Sequence, residues 1–177
     1  MSSRVQNHVT GRLSLRPPQA ESLARLVRAL EAAPEMLGKD RDVASILATL
    51  KAEFPTLEDF ERDFPSLCFA LATGVGKTRL MGAFVAYLHL AHGINNFFVL
   101  APNLTIYNKL IADFTPNTPK YVFKGIGEFA INAPRVITGD NYDQQNVAGG
   151  ELFGEVRINI FNISKINSEV RGGKEPR

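Results

Sequence analysis

The first third of the chain has apolar residues at helical spacing. In residues 19–34 leucine and valine recur three or four positions apart, which predicts an amphipathic helix that ends at Pro34. Residues 41–54 repeat this pattern and predict a second helix. Thr56, with Asp59 three residues later, resembles a capping box and predicts a further short turn of helix.

From residue 66 the pattern changes to short apolar runs that alternate with amphipathic segments. The runs predict buried strands at 66–72, 96–102, 120–125, 135–140 and 156–163. The segments 77–93 and 104–114 predict helices, the first ended by Gly93 at its C-terminal cap. This alternation predicts an α/β fold with a mostly parallel sheet and helices on both faces, preceded by a helical N-terminal segment.

Composition narrows the class of protein. The chain has 177 residues, 45% of them apolar, and a formal net charge of +2, which is too small to indicate nucleic-acid binding by itself. Its single cysteine, Cys68, lies in an apolar run and predicts a buried structural thiol in a reducing compartment. The sequence has neither a signal peptide nor a run of membrane-spanning length, so we expect a cytoplasmic protein without a membrane partner.

The stretch LATGVGKTRL, residues 71–80, carries the clearest chemistry. It connects a predicted strand to a predicted helix, where unpaired backbone N–H groups and the helix dipole favour an anion. Gly74 and Gly76 allow the backbone to wrap around phosphate oxygens, Lys77 supplies a positive charge, and the Thr78 hydroxyl is a ligand for Mg²⁺. The strict phosphate-loop pattern has glycine at its first position, where this chain has Leu71.

Residues 72–78, ATGVGKT, resemble motif I of superfamily 2 helicases and translocases, which tolerates the missing first glycine. Upstream, LRPPQAESL is similar to the segment of that superfamily in which a glutamine, here Gln19, recognises adenine. The alternative for this segment is a proline-led helix start. The resemblance implies ATP and Mg²⁺ as cofactors, Lys77 as the catalytic residue and Thr78 as the metal ligand. It implies these nucleotide-binding residues: Arg16, Gln19, Thr73, Gly74, Val75, Gly76, Lys77 and Thr78.

Three later segments are similar to the nucleic-acid-contacting motifs of the same superfamily. FVLAPNLTIYNKL (98–110) resembles motif Ia, while VITGD (136–140) and FNISKIN (161–167) fall where further backbone contacts are expected. Asn103 or Thr105 is equally suited to capping the following helix. The residues implied to contact nucleic acid are Pro102, Asn103, Thr105, Thr138, Gly139, Ser164 and Lys165.

The branch with the greatest similarity is the R subunit of type III restriction enzymes, because a helical insert separates the glutamine segment from motif I. The resemblance implies a glutamine-motif segment with its insert at 1–65 and part of a three-layer RecA-like ATP-binding domain at 66–177. No apolar run ends in the Asp-Glu pair that such an ATPase needs, and Asp140 is a poor substitute. We therefore expect this chain to be the N-terminal part of a longer DNA motor, able to bind ATP weakly but not to hydrolyse it at a useful rate. Its expected partners are the C-terminal part of the same motor, DNA and a methyltransferase subunit.

Two other functions remain open from the sequence. A phosphate-loop kinase for a small metabolite would share residues 72–78, although the only late basic cluster is RGGKEPR at the C-terminus. A non-catalytic module that binds nucleic acid or a protein partner would keep the fold with a vestigial nucleotide site. A GTPase is disfavoured because NKLI, residues 108–111, lacks the aspartate that recognises guanine.

Overall fold

The computed structural model describes residues 2–141 and 155–163. The chain divides into two compact units, Met1–Leu80 and Met81–Arg177. The described elements are α1 (Ser2–Arg12), α2 (Pro17–Ala32), a 3₁₀ turn (Pro34–Leu37), α3 (Val43–Glu53), α4 (Lys77–His92), β1 (Asn96–Ala101), α5 (Leu104–Phe114), α6 (Gly127–Ile131), β2 (Arg135–Thr138) and β3 (Arg157–Asn162).

Helices α1 and α2 form a hairpin in the first unit. α2 begins with Pro17 at its first helical position, where the missing N–H costs no hydrogen bond. Val9 and Leu13 are buried on the α1 side, and the inward face of α2 includes Leu23 and Leu30. The pair of helices therefore has an apolar interface that fixes the start of α2, where Gln19 lies.

Helix α3 completes the helical part of the first unit. Asp42 caps it, its side chain accepting hydrogen bonds from the N–H groups of Ala44 and Ser45 at 3.1 and 3.2 Å. One apolar cluster joins α2, α3 and the segment after α3; its buried members are Ala29, Ala33, Ile46, Leu50 and Phe60. Both predicted helices in this region are confirmed.

A parallel three-stranded sheet is the centre of the second unit. Its order is β1-β3-β2, with Val99 opposite Ile160 and Val136 opposite Ile158. Ile158 and Ile160 of the central strand are fully buried, and α5 packs on β1 and β3. The α/β class with a parallel sheet and a helical N-terminus is confirmed.

The other side of β1 is more open. Phe98 is 62% exposed and Leu100 is 47% exposed, and Phe98 stacks on Phe161 with 5.3 Å between ring centroids.

In α4, Gly82 allows close approach of Val122, since an added Cβ would lie 3.1 Å from that side chain. Gly93 ends α4 with φ +67°, as predicted for a C-terminal cap.

The predicted strand at 66–72 is wrong. These residues have no regular secondary structure, and their side chains alternate between half-buried (Leu67, Phe69) and exposed (Cys68, Ala70). A strand requires a hydrogen-bonded neighbour, and the pairing among the described residues involves only β1, β3 and β2. The same alternation places Cys68 on the outward side, so the prediction of a buried thiol is wrong as well.

Two weaker predictions also fail for local reasons. In residues 120–125 the N–H of Val122 donates to Asp113 O at 2.9 Å, and further turn bonds replace a strand ladder. Near residue 56, the Asp59 carboxylate accepts from the adjacent N–H of Phe60 at 2.7 Å instead of capping a helix. Hydrogen bonds between residues close in the sequence therefore determine the backbone conformation of both segments.

Helix α1 was not predicted from the sequence. Its sequence is polar, but Val5, Val9 and Leu13 recur at every fourth position and would have indicated a narrow apolar stripe.

Among the described residues, no helix is long and apolar enough to cross a bilayer. The domain boundary between residues 65 and 66 stays a prediction.

Candidate functional site

The loop at residues 72–78, called the phosphate loop below, has the backbone conformation of an anion site. Gly74 and Gly76 have φ of +81° and +88°, values that side-chain-bearing residues rarely adopt. Helix α4 begins immediately afterwards, at Lys77. Alternation of left-handed glycines with ordinary residues directs successive N–H groups to one side, next to the positive end of the helix dipole.

The side chains of this loop are accessible. Thr73 and Lys77 are exposed, while Val75 and Thr78 are half-buried. None of the ion pairs found in the described part of the chain involves Lys77. An exposed ammonium group at the first residue of a helix adds positive charge where the backbone already favours an anion.

Gln19 contacts the phosphate loop directly. Although it is polar, its side chain is 1% exposed. Its Nε2 donates to the carbonyl oxygens of Val75 and Gly76, both at 2.9 Å, and its Oε1 accepts from the N–H of Arg16 at 2.8 Å. The predicted residues Arg16, Gln19, Val75 and Gly76 are therefore brought together, while recognition of adenine by Gln19 stays a prediction.

Arg79 makes a second contact between the same parts of the first unit. Its Nη1 donates to the carbonyl oxygen of Leu13 at 3.1 Å, at the end of the α1–α2 hairpin that precedes Gln19. Sequence reasoning missed Arg79, because a basic residue after Lys-Thr has no distinctive spacing with respect to Leu13. Only the fold shows that Arg79 connects α4 to the end of the α1–α2 hairpin.

The residues predicted to contact nucleic acid belong to the second unit. Asn103 caps α5, its Oδ1 accepting from the N–H of Ile106 at 3.0 Å. Pro102 and Thr105 are exposed beside it. The capping role is confirmed for Asn103 and leaves the predicted contact with a phosphodiester backbone untested.

The remaining predicted contacts are only partly within the described residues. Thr138 is buried at the end of β2, and its N–H donates to Asn141 Oδ1 at 2.7 Å, while Gly139 is exposed. Ser164 and Lys165 lie outside the described residues.

A cavity of about 680 Å³ lies elsewhere in the first unit. It is lined mainly by apolar side chains, including Phe54, Phe60 and Phe64, and contains no residue of the phosphate loop. Searching the described part of the chain for groups of histidine, cysteine and acidic residues able to hold a metal finds none. The phosphate loop is the candidate for chemistry because of its two left-handed glycines and its exposed lysine, Lys77.

Comparison with known protein families identifies the family of the chain. A family model described as type III restriction enzyme, res subunit, matches residues 12–176. The chain belongs to this family. Searches of curated proteins and of solved structures return no match.

Membership in the res-subunit family defines the general class of the chain. The matched region is a DEAD-like helicase domain, and the incomplete sheet with its helical N-terminus agrees with part of a RecA-like domain. Full-length members are ATP-dependent helicases, generally use ATP and Mg²⁺, and interact with nucleic acid. The match begins at residue 12, so α1 lies almost entirely before it.

The described residues of the phosphate loop are suited to the phosphate groups of ATP. The open, glycine-bearing loop exposes Gly74, Gly76 and Lys77, and an added Cβ at Gly74 would meet nothing within 4 Å. This leaves room for a phosphate group against the backbone. Thr78 is the residue of the loop whose hydroxyl is suited to a hard cation such as Mg²⁺.

Proposed function

We propose that this chain binds Mg·ATP through its phosphate loop as the ATP-binding part of a helicase or translocase of the restriction type. The observation that carries the proposal is the pair of left-handed glycines, Gly74 and Gly76, directly before a helix that starts with an exposed lysine. A backbone of this shape is suited to anions.

Each residue of the loop has a distinct part in binding. The N–H groups after Gly74 and Gly76 donate to the phosphate oxygens, and the Lys77 ammonium neutralises the outer phosphates. Thr78 would hold Mg²⁺ together with the nucleotide, and bound Mg²⁺ would supply charge neutralisation at the phosphates. We assign Lys77 as the catalytic residue because it would contact the phosphoryl group that is transferred.

We also propose contact with the backbone of DNA at the start of α5. Pro102, Asn103 and Thr105 are exposed there, and a capped helix N-terminus offers N–H groups and a positive dipole to a phosphate. Contacts of this kind do not depend on base sequence and weaken as salt is added.

A thermal-shift titration tests the proposed ATP binding. Saturating Mg·ATP is expected to raise the melting temperature of the chain by about 5–10 °C, since ligand at 100 times Kd stabilises the folded state by about 2.7 kcal/mol. Lys77→Ala is expected to weaken binding about 10- to 100-fold, the equivalent of one charged hydrogen bond. Lys51→Ala, at an exposed lysine near the end of α3, is the matched control.

The outcomes separate the proposed function from its alternatives. No shift with ATP, or an equal shift in wild type and Lys77→Ala, would refute nucleotide binding through the loop. A shift with ATP but no binding of a single-stranded DNA oligonucleotide at low salt would favour the small-molecule kinase. DNA binding without any response to ATP would favour the non-catalytic module.

A further inference from the structure

The cavity of about 680 Å³ in the first unit has an aromatic lining that is partly open to solvent. Four phenylalanines line it, Phe54, Phe60, Phe64 and Phe69, together with several leucines. Phe60 is buried, whereas Phe64 is 55% exposed. The volume lies within the range of about 300–1,000 Å³ that is typical of ligand sites. It is called the phenylalanine cavity below.

The wall of the cavity that follows α3 is held in place by hydrogen bonds of its own. The Ser66 hydroxyl donates to the carbonyl oxygen of Phe60 at 2.6 Å, and the N–H of Leu57 donates to that of Phe54 at 2.9 Å. Leu57 also packs against the apolar cluster of α2 and α3. The cavity is therefore formed before any partner binds, as most binding sites are.

The rim of the cavity has an excess of negative charge. Residues 58–63 contain four carboxylates and one arginine: Glu58, Asp59, Glu61, Asp63 and Arg62. All five are exposed, and none of the ion pairs found in the described part of the chain involves the four carboxylates. Arg25, the other arginine of the lining, is paired with Glu21 at 2.9 Å. The rim therefore favours a partner with positive charge and repels an acidic one.

One lining ring already has a cation on its face. The guanidinium carbon of Arg28 lies 5.2 Å from the centroid of the Phe54 ring, and Arg28 also pairs with Glu53. A ring face and a carboxylate together attract a cation, the ring through its quadrupole and the carboxylate through its charge. Phenylalanine rings and carboxylates occur together again at the rim of the cavity, beside Asp59 and Glu61.

We propose that the phenylalanine cavity is a docking site for a protein partner that presents an amphipathic helix with lysine or arginine beside its apolar face. Apolar side chains three and four positions apart lie on one face of a helix and enter a groove together. The basic side chains next to them then lie against residues 58–63. An uncharged small molecule would gain nothing from those carboxylates. No residue of the phosphate loop lines the cavity, so the inference is independent of nucleotide binding.

The test measures binding of three fluorescein-labelled peptides of about 18 residues to the 177-residue chain by anisotropy at low salt. The first peptide has leucine at helical spacing and lysine at the other positions. The second has glutamate in place of lysine, and the third has serine in place of leucine. We expect the leucine–lysine peptide to bind and the other two to bind at least about tenfold more weakly, because each lacks one of the two complementary features.

Cys68 reports whether the bound peptide occupies the cavity. It is the single cysteine of the chain, it is exposed, and it belongs to the cavity lining. With the leucine–lysine peptide at about ten times Kd, we expect alkylation of Cys68 by iodoacetamide to slow about tenfold, since only the unoccupied fraction reacts. The serine-substituted peptide at the same concentration is expected to leave the rate unchanged.

Phe64 tests the apolar part of the site. Phe64→Ser is expected to weaken binding of the leucine–lysine peptide about tenfold, as removal of an aromatic contact at an interface does. Ile131→Ser is the matched control, because Ile131 is 84% exposed and lies outside the cavity lining. Both substituted side chains are exposed, so both variants are expected to fold.

Asp59 and Glu61 test the charged part. Replacement of both, Asp59→Asn with Glu61→Gln, is expected to weaken binding severalfold and to reduce its dependence on salt. The matched control is Glu35→Gln with Asp40→Asn, which removes two exposed carboxylates that do not line the cavity.

Any of three results would overturn the proposal: equal affinity for the leucine–lysine and leucine–glutamate peptides, equal affinity of Phe64→Ser and Ile131→Ser, or undiminished alkylation of Cys68 with peptide bound. Protection of Cys68 by a neutral naphthylamine dye, but not by the peptide, would also overturn it and make the cavity a small-molecule site. Alkylation that slows as the chain itself is concentrated, without peptide, would instead identify a second copy of the chain as the occupant.

Discussion

The carbonyl oxygen of Gly76 accepts a 2.9 Å hydrogen bond from the side-chain amide of Gln19, a residue 57 positions earlier in the chain. The approach is so close that a Cβ added to Gly76 would lie 2.6 Å from Gln19 Nε2. Gly76 therefore has two reasons to be glycine: its φ of +88° and the proximity of this amide. Gly74 has only the first, with φ +81° and open space around it.

This difference predicts unequal effects of two alanine substitutions. Gly74→Ala is expected to lower the free energy of unfolding by about 1 kcal/mol, the strain of a left-handed non-glycine residue. Gly76→Ala is expected to cost about 1–2 kcal/mol more, because the new methyl group displaces the Gln19 amide and breaks its hydrogen bonds to the carbonyls of Val75 and Gly76. Urea denaturation of the two variants measures both values.

A double substitution tests whether the contact with Gln19 causes the larger effect of Gly76→Ala. Gly76→Ala is expected to cost less in a Gln19→Ala background, since the clash has already been removed. Equal costs for Gly74→Ala and Gly76→Ala, or full additivity of the Gln19 and Gly76 substitutions, would contradict the close contact.

Asn103 offers a way to separate helix capping from nucleic-acid binding. Aspartate caps helices as well as asparagine does, so Asn103→Asp is expected to change the free energy of unfolding by less than about 0.5 kcal/mol, while Asn103→Ala costs about 1 kcal/mol. The negative charge that the aspartate substitution introduces would repel a phosphodiester. We therefore expect Asn103→Asp to weaken binding of a single-stranded DNA oligonucleotide, measured by fluorescence anisotropy at low salt, severalfold.

Salt dependence is the control for this prediction. Binding by wild type is expected to fall steeply between low and moderate salt, as contacts to phosphates require. Unchanged DNA affinity in Asn103→Asp would restrict Asn103 to its capping role.

Tyr121 predicts a dependence of stability on pH at the alkaline end. Burial raises the pKa of Tyr121 to about 12 from its ordinary value of 10.0, and within the described residues its buried hydroxyl has no hydrogen-bond partner. In the unfolded chain the phenol loses its proton at lower pH than in the folded chain. Its contribution to stability is therefore complete below pH 10.0 and is lost as the pH rises toward about 12.

Comparison with Tyr121→Phe isolates this group from the lysines that titrate in the same range. Below its ordinary pKa the variant is expected to match wild type or exceed it by up to about 1 kcal/mol, because an unpaired hydroxyl has been removed. Above that pH the advantage of phenylalanine is expected to grow. A constant difference in unfolding free energy across the alkaline range would show that Tyr121 ionises equally easily in both states.

Elements defined by local periodicity were predictable from the sequence. Helices α2, α3, α4 and α5 have apolar residues at helical spacing with caps or prolines at their ends, and β1, β2 and β3 are short apolar runs bounded by polar residues. The left-handed turns at Gly74 and Gly76 were also predictable, because glycine adopts them without strain. The roles of Lys77 and Thr78 stay predictions.

Features that depend on distant partners were not predictable. Residues 66–72 are as apolar as the strands that form, but a strand also needs a hydrogen-bonded neighbour, which local composition does not specify. The contact of Arg79 with Leu13 joins residues 66 positions apart, and nothing in either segment indicates it. Gln19 was predicted as a site residue by resemblance, yet only the fold shows that its amide faces the loop carbonyls.

The central claim is that the backbone N–H groups of the phosphate loop hold the triphosphate of ATP. The most direct measurement is an amide-resolved NMR titration of the ¹⁵N-labelled chain with Mg·ATP. We predict that the largest shifts occur at Gly74, Gly76, Lys77 and Thr78, and that Lys77→Ala reduces them at the same nucleotide concentration. Shifts centred on other residues, or no shifts at saturating nucleotide, would contradict the account.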